Sequence, residues 1–286
     1  MSKKFIFLKK QILWIKDIRE TVKALEKISA ANVHNLEMTA QIVADYEAIL
    51  EKIFCDIPEK DISHPLFNKR QSQKRLQVIL TTEKGLCGAL LNRLLDLVQS
   101  NLKKDDKILV VGEKGRRLLQ ERMIKIDYFF QGTEDIPREK DIKPIRDFVI
   151  SQFMSKKISQ VLIFYPRFKS LAVQNPTFFS FLPFDKETFK KEMKEENITP
   201  ILGELIYEPN KKQIMDYLVK EYLGLVFNQK VLEAKLSELS ARTVAMKDAS
   251  ENAKKLVSQL SYQYFEEKRE AITKNITDLY SHRAIR

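Results

Sequence analysis

The two ends of this 286-residue chain contain almost none of the residues that interrupt helices. All nine prolines lie between Pro58 and Pro209, and six of the seven glycines lie between Gly85 and Gly203. Proline inside a helix removes a hydrogen bond and clashes with the preceding turn. We therefore predict one long helix at each end, in segments 1–57 and 209–286, with a breaker-rich α/β domain at 70–200 between them.

Cysteine and long apolar runs are also scarce. The chain has two cysteines, Cys55 and Cys87, and no spacing typical of metal ligands, which favours a reducing compartment. No apolar run approaches the roughly 20 residues that span a bilayer. The apolar start Phe5 to Leu8 is too short for a signal peptide and is followed by Lys9 and Lys10. The sequence predicts a cytosolic protein, at most peripheral to a membrane.

Positive charge is in excess, with a net charge of +11 and a pI near 9.4. A basic protein favours an acidic partner, which can be nucleic acid, anionic lipid or an acidic protein surface. The charge is spread along the chain, so composition does not choose among the three.

Both terminal segments repeat seam residues at alternating steps of three and four, which is typical of a left-handed coiled coil. Small and polar residues occupy the centre of each seam. Two seams of similar length predict one antiparallel pair within the chain. The N-terminal seam is Ile15, Ile18, Val22, Leu25, Ser29, Asn32, Leu36, Thr39, Val43, Tyr46, Leu50 and Ile53, and the C-terminal seam is Leu232, Leu236, Leu239, Thr243, Met246, Ser250, Ala253, Val257, Leu260 and Tyr264.

The middle of the chain alternates strands with helices, which predicts a parallel, Rossmann-like α/β sheet. A later segment rich in phenylalanine, residues 174–184, is predicted to be an antiparallel edge strand, and residues 186–197 a charged connector. The predicted strands are 76–80, 107–111, 126–130 and 161–165, and the predicted helices are 89–101, 113–122 and 142–154.

No group of residues argues for catalysis. The turn from Gly85 to Gly88 follows a strand and opens a helix, where α/β folds bind phosphate. It is neither a GxGxxG motif nor a P-loop, and the turn from Gly112 to Gly115 is a weaker candidate. Cys87 at the helix start could be a reactive thiol, although a small buried residue is the more common case. We predict no catalytic residue, no metal and no cofactor.

Several motifs, in order along the chain, resemble the gamma subunit of F-type ATP synthases. The segment 241–253, ARTVAMKDASENA, is similar to the family's C-terminal signature, and Gly85-Leu86-Cys87-Gly88 matches its turn after the first strand. Segments 22–31 and 268–274 are similar to two further family stretches. The chain departs from the family at 32–35, where a basic stretch is usual, and at its C-terminus, which indicates a divergent, bacterial lineage.

The resemblance implies a central rotor stalk that couples ion flow through the membrane to ATP synthesis or hydrolysis on other subunits. The alpha and beta subunits would surround the paired helices, and the epsilon subunit and the c-ring would lie at the foot. The chain would bind no nucleic acid and would lie on the cytoplasmic side of the bacterial inner membrane. Residues expected to contact partners are Lys23, Arg242, Met246, Asn252, Lys268 and Arg269. Arg242 lies off the seam positions, so we expect it to face outward.

Two other classes stay open from the residues alone. An α/β nucleotide-binding enzyme with helical arms would need a ligand at the turn from Gly85 to Gly88. A basic coiled-coil scaffold or nucleic-acid binder would use the net positive charge, and its DNA binding would weaken with salt.

Overall fold

The computed structural model describes residues 3–57, 64–68, 70, 74–184, 207–208 and 210–284. The predicted connector at 186–197 lies outside these residues. The elements, in chain order, are α1 (Lys3–Asp56), a short 3-10 helix (Pro65–Phe67), β1 (Arg75–Leu80), α2 (Leu90–Asn101), β2 (Lys107–Val111), α3 (Glu113–Glu121), β3 (Tyr128–Phe130), α4 (Glu139–Met154), β4 (Gln160–Phe168), β5 (Gln174–Leu182) and α5 (Lys211–Ala284).

The five strands form one sheet in the order β3-β2-β1-β4-β5. The first four are parallel, and β5 pairs antiparallel with β4, with Phe164 opposite Phe178. Helices connect the parallel strands, because parallel neighbours need a crossover. The predicted fold class, an α/β domain between two long antiparallel terminal helices, is confirmed.

Several predicted boundaries differ from the structure: the fourth strand runs on to Phe168, three residues beyond the predicted Tyr165, and two elements begin at other residues. The third strand begins at Tyr128 rather than Ile126, because the carboxylate of Asp127 accepts the backbone N–H of Ile108 at 3.1 Å in place of a strand partner. Helix α4 begins three residues before the predicted Ile142, where the backbone N–H of Arg138 donates to the carboxylate of Asp141 at 3.2 Å.

The chain divides into two compact units, one with the described residues of Met1–Ala30 and Arg242–Arg286 and the other with those of Ala31–Ala241. We call them the tip unit and the body unit. The body unit contains the sheet, α2, α3, α4 and the adjoining parts of α1 and α5. Its core joins strand residues such as Val78 and Ile163 to Phe153 of α4 and Phe227 of α5.

Gly224, the one glycine of the C-terminal segment, lies where α5 contacts α4 in the body unit. A Cβ atom at this position would be 3.0 Å from Nη1 of Arg146. Arg146 is held in turn by the carboxylate of Glu139 at 2.8 Å. The glycine therefore accommodates a guanidinium group against the helix backbone.

In the body unit, α1 and α5 pack with opposite directions. Val33 and Leu36 form an apolar cluster with Leu232, Leu236 and Leu239. Further along α1, the carboxylate of Glu47 accepts a hydrogen bond from Gln229 at 2.8 Å. Because α1 residues of higher number meet α5 residues of lower number, the pair is antiparallel, as the two seams predicted.

In the tip unit, the first turns of α1 pack against a later part of α5. The rings of Phe5 and Tyr264 stack with centroids 4.6 Å apart, and Lys4 forms an ion pair with Glu267. Leu8 and Ile12, on the same face of α1 as Phe5, are buried. This pairing is again antiparallel.

The predicted N-terminal seam is wrong at three positions, because Ile18, Tyr46 and Ile53 are exposed. An α-helix has 3.6 residues per turn, so an unsupercoiled helix moves a strict heptad stripe off its contact face by about 20° per heptad. Arg19 and Glu47 lie closer to that face. The predicted C-terminal seam positions are all buried or half-buried.

Candidate functional site

The turn after β1 is the first candidate for ligand binding. Gly85, Leu86 and Gly88 adopt positive φ angles of 75°, 61° and 58°. Leu86 is exposed, whereas Cys87 is buried in a cluster with Leu90 and other apolar residues of α2. The small-buried-residue interpretation of Cys87 is therefore the correct one.

The phosphate-binding position of this edge is filled by a side chain of the protein itself. Oε2 of Glu83 accepts the backbone N–H of Glu113 at 3.0 Å and that of Gly132 at 2.9 Å. Glu113 is the first residue of α3, and exposed N–H groups at a helix start are what α/β folds offer to phosphate. Lys84, the cation of the turn, lies 3.7 Å from Asp135. A phosphate would have to displace one carboxylate and lie beside another.

The basic residues in the first turns of α3 are paired within the helix. Arg116 and Arg117 both donate to the carboxylate of Glu113, at 2.7 and 2.8 Å. The hydrogen bonds from Arg116 and then Arg117 lower the pKa of Glu113 to about 2. The guanidinium of Arg116 also lies 4.8 Å from the ring centroid of Phe129.

The second glycine turn serves close packing. A Cβ atom at Gly115 would lie 2.1 Å from Oγ1 of Thr81, and one at Gly112 would lie 2.8 Å from the carbonyl oxygen of Thr82. Thr81 donates its hydroxyl to the carbonyl of Val111 at 2.6 Å, which fixes it in place. The backbone of α3 can approach β1 only because both positions lack a side chain.

Buried titratable groups in the body unit are committed to structural contacts. The Asp106 carboxylate is almost completely buried and accepts hydrogen bonds from Arg75 at 2.9 and 2.5 Å and from Gln77 at 2.7 Å. Burial alone would raise its pKa, but these bonds and the backbone N–H of Lys103 lower it overall. His64 accepts the N–H of Leu66 through Nδ1 and meets Asp216 through Nε2 at 3.0 Å.

Within the described ranges, no three His, Cys, Asp or Glu side chains are grouped as a metal site would require. A small cavity lies where the end of β1 meets α5, beside Thr82, Lys235 and Glu238, but its volume of about 30 Å³ suffices only for a water molecule. Lys235 and Glu238 are themselves joined at 2.9 Å.

Four of the six predicted partner-contact residues are exposed on the terminal helices: Lys23, Asn252, Lys268 and Arg269. The other two are buried within this chain. The expectation that Arg242 faces outward is wrong, since its exposed fraction is 4%. Met246 is buried as well, as its seam position implies.

Large apolar side chains exposed on the helices of the tip unit were missed from the sequence. Trp14 is 66% exposed, and Phe7, Tyr262 and Phe265 also face solvent. The sequence could have indicated their exposure, because each is an apolar residue that lies outside the seam positions. Tyr262 and Arg269 line one open groove of about 670 Å³.

These features define a class of protein: an α/β domain joined to paired terminal helices. The backbone N–H groups where such a domain can bind phosphate are occupied by Glu83, and the helices expose apolar and charged side chains. Within the parts of the chain that the structure covers, no helix combines the length and apolar content of a membrane span.

Comparison with known proteins gives the family. The family model described as ATP synthase matches residues 6–282. The ATP synthase gamma chain of Halothermothrix orenii is 30% identical over 278 residues, covering 95% of both chains. That of Staphylococcus haemolyticus is 28% identical over 272 residues, covering 92% of both. The chain belongs to the ATP synthase gamma chain family.

Solved structures agree on the fold. A chain of the Euglena gracilis mitochondrial ATP synthase, determined with OSCP, F1 and the c-ring, matches with a TM-score of 0.67 and 19% identity, over 97% of this chain and 93% of that one. A chain of the Tetrahymena thermophila central stalk and c-ring structure matches with a TM-score of 0.57 over 80% of this chain. As a gamma chain, this protein is a non-catalytic subunit of the central rotor stalk and part of the peripheral F1 portion.

Proposed function

We propose that this chain turns inside a ring of alternating alpha and beta subunits, with its α/β domain at the foot against an epsilon subunit and a c-ring. The observation that carries the proposal is the pairing of α1 with α5. A stiff helical pair can transmit torque, and its exposed residues can differ from one side to the other. Its orientation would set which beta subunit can bind, convert or release nucleotide.

We further propose that the assembly lies on the cytoplasmic side of a bacterial plasma membrane. The curated relatives described above are bacterial. Ion flow through the membrane ring would drive rotation, and ATP would be made or hydrolysed on the beta subunits.

Contacts with the ring would come from the exposed residues Lys23, Asn252, Lys268 and Arg269 and from neighbours such as Trp14 and Tyr262. A rotating shaft should not bind one ring position much more tightly than its equivalents. Exposed charges suit this requirement, since their interactions are modest and screened by salt. Arg242 and Met246 would act by supporting the helix pair. In the proposed division of labour, 1–57 and 209–286 form the shaft and 70–200 form the foot domain.

Reconstitution tests this function. The purified chain alone should hydrolyse no ATP, whereas mixing it with alpha and beta subunits should yield a complex with ATPase activity that contains one copy of the chain. Failure to join an alpha–beta complex would refute the proposal. Lys84→Ala is the matched check on the enzyme alternative, because Lys84 is the cation of the phosphate-type turn. ATP hydrolysis by the chain alone that Lys84→Ala abolishes would establish that alternative instead.

The nucleic-acid alternative is tested with the same protein. Binding to duplex DNA that persists at physiological salt, together with failure to join the alpha–beta complex, would favour a basic scaffold. Binding that vanishes between low salt and about 0.15 M would reflect the net charge alone.

A further inference from the structure

One edge of the sheet carries a concentration of lysine contributed by separate segments of the chain. This is the edge at which β1, β2, β3 and β4 begin. We call the following set the lysine edge: Lys74 before β1, Lys103 and Lys104 before β2, Lys125 before β3, and Lys156 and Lys157 before β4. All six residues are exposed.

The lysine edge is one surface. Lys74, Lys103, Lys104 and Lys125 line the same open groove of about 450 Å³. The backbone N–H of Ser159 donates to the carbonyl of Lys74 at 2.9 Å, so the loop with Lys156 and Lys157 adjoins it.

Two of the three carboxylates of this groove are already paired. Asp106 is buried under Arg75, and Asp127 accepts from Lys107 at 2.7 Å. Asp105 is the third and is exposed. The surface therefore presents an excess of positive charge.

Two of the helices that end at this edge of the sheet do so in an unusual way. Met123 follows α3 with a φ of 57°, and Lys156 follows α4 with a φ of 61°. Glycine is the common residue there, because a side chain strains this conformation. Met123 is nevertheless 95% exposed. An apolar side chain is therefore exposed two residues before Lys125, at a backbone conformation that favours glycine.

The direction of this edge follows from contacts within the body unit. Phe227 of α5 packs on Phe181, near the start of β4, with ring centroids 5.5 Å apart. Ten residues later, the hydroxyl of Ser237 donates to the carbonyl of Pro166, near the end of β4, at 2.7 Å. The parallel strands thus run alongside α5, and the lysine edge faces toward Lys211, where α5 begins.

We propose that the lysine edge docks on the phosphate headgroups of an anionic lipid surface, with Met123 reaching the interfacial region. This inference rests on the proposed function, which puts the α/β domain that carries the lysine edge at the foot, toward the membrane ring. Lysines beside an anionic membrane gain favourable electrostatic energy, and an apolar side chain among them adds burial in the headgroup region. The contact keeps the foot domain close to the bilayer that surrounds the ion-conducting ring.

Sedimentation with vesicles tests the proposal on the full purified chain. Vesicles of phosphatidylcholine alone are compared with vesicles containing equal parts of phosphatidylglycerol, from low salt to about 0.15 M. The chain should bind the anionic vesicles, less so as salt rises. The triple variant K103E/K104E/K125E should lower the vesicle partition coefficient at least about tenfold. Met123→Ser should weaken binding by a smaller factor at all salt concentrations.

The control variant K140E/K143E/K169E makes the same charge change at exposed lysines beyond the opposite edge of the sheet. It should retain most of the binding. Equal losses in both triple variants, or equal binding to neutral vesicles, would refute the proposal. Absence of vesicle binding by the unmodified chain would also refute it and would favour an acidic protein partner. Assembly with alpha and beta subunits should survive in both variants, which separates this test from that of the proposed function.

Discussion

Glu83 accepts a hydrogen bond from the backbone N–H of Glu113 at the start of α3, at 3.0 Å. The fold thus keeps the helix N-terminus that other α/β proteins give to phosphate, but satisfies it with its own carboxylate. The same oxygen also holds Gly132, whose missing side chain permits the approach, since a Cβ atom there would lie 2.6 Å from it. A Rossmann-like sheet can therefore serve as a rigid body without a nucleotide.

Glu83→Ala should destabilise the body unit by about 1–3 kcal/mol, because two backbone donors lose their acceptor. Glu83→Gln, which keeps an acceptor oxygen, should recover most of this loss. The free energy of unfolding from denaturant titration gives the measurement. Glu134→Ala, an exposed neighbour, is the control and should stay within about 0.5 kcal/mol of the unmodified chain. If Glu83→Ala changed the free energy of unfolding no more than Glu134→Ala does, the contact of Glu83 would not support the fold.

Asp106→Asn should reduce stability near neutral pH by about 1.5–3 kcal/mol, because bonds to a charged acceptor are lost. The pKa of Asp106 is lower in the folded chain than in the unfolded one. Its stabilisation is therefore complete above the pKa of an unfolded aspartate, about 3.9, and is lost as the pH falls through the lower folded value.

The stability difference between Asp106→Asn and the unmodified chain should accordingly stay constant from pH 7 to about 5 and shrink below about 4. Denaturant titrations across this range measure it. Asp105→Asn, the exposed neighbour, should give little difference at any of these pH values. A gap that widened on acidification would contradict the assignment.

Arg242→Ala should lower the stability of the helix pair by more than about 1 kcal/mol. The substitution removes the packing of a buried aliphatic stem in addition to the guanidinium charge. Lys247 is exposed further along α5, so Lys247→Ala is the matched control and should change the midpoint temperature of thermal unfolding little. Thermal unfolding followed by circular dichroism compares the two. Equal midpoints would restore the outward-facing interpretation of Arg242.

Lys268→Ala and Arg269→Ala should leave the stability of the isolated chain within about 0.5 kcal/mol, since both residues are exposed. In the assembled complex they should lower ATP synthesis relative to hydrolysis. Coupling is measured in reconstituted vesicles. Unchanged coupling in both variants would remove these residues from the proposed contact set.

The pairing of Phe5 with Tyr264 predicts a crosslink within one chain. With Cys55 and Cys87 replaced by alanine, a cysteine pair at Phe5 and Tyr264 should react with a short bifunctional thiol reagent to give a product of monomer mass. A pair at the exposed Phe7 and Tyr264 should react much less. Products that join only two chains would overturn the intramolecular antiparallel pair.

The sequence alone determined the large-scale organisation of this protein. The lack of proline before Pro58 and after Pro209 fixed where long helices could form, and alternating strand and helix segments fixed the parallel sheet. The positions of the helices and of the strands both follow from backbone chemistry. It acts between residues that are close in the sequence, so it can be recognised from the sequence alone. The ordered motifs at Gly85–Gly88 and 241–253 led to the family for the same reason, since they are contiguous.

The tertiary structure decided which side chains are exposed and which are buried or brought together. A heptad pattern predicts which face of a helix meets its partner, but it does not predict how the remaining faces are covered. It therefore did not predict that Arg242 is buried and Trp14 is exposed. Glu83 meets Glu113 and Gly132 only because three sheet-edge loops converge. The lysine edge exists for the same reason: residues from Lys74 to Lys157 become one surface when parallel strands begin side by side.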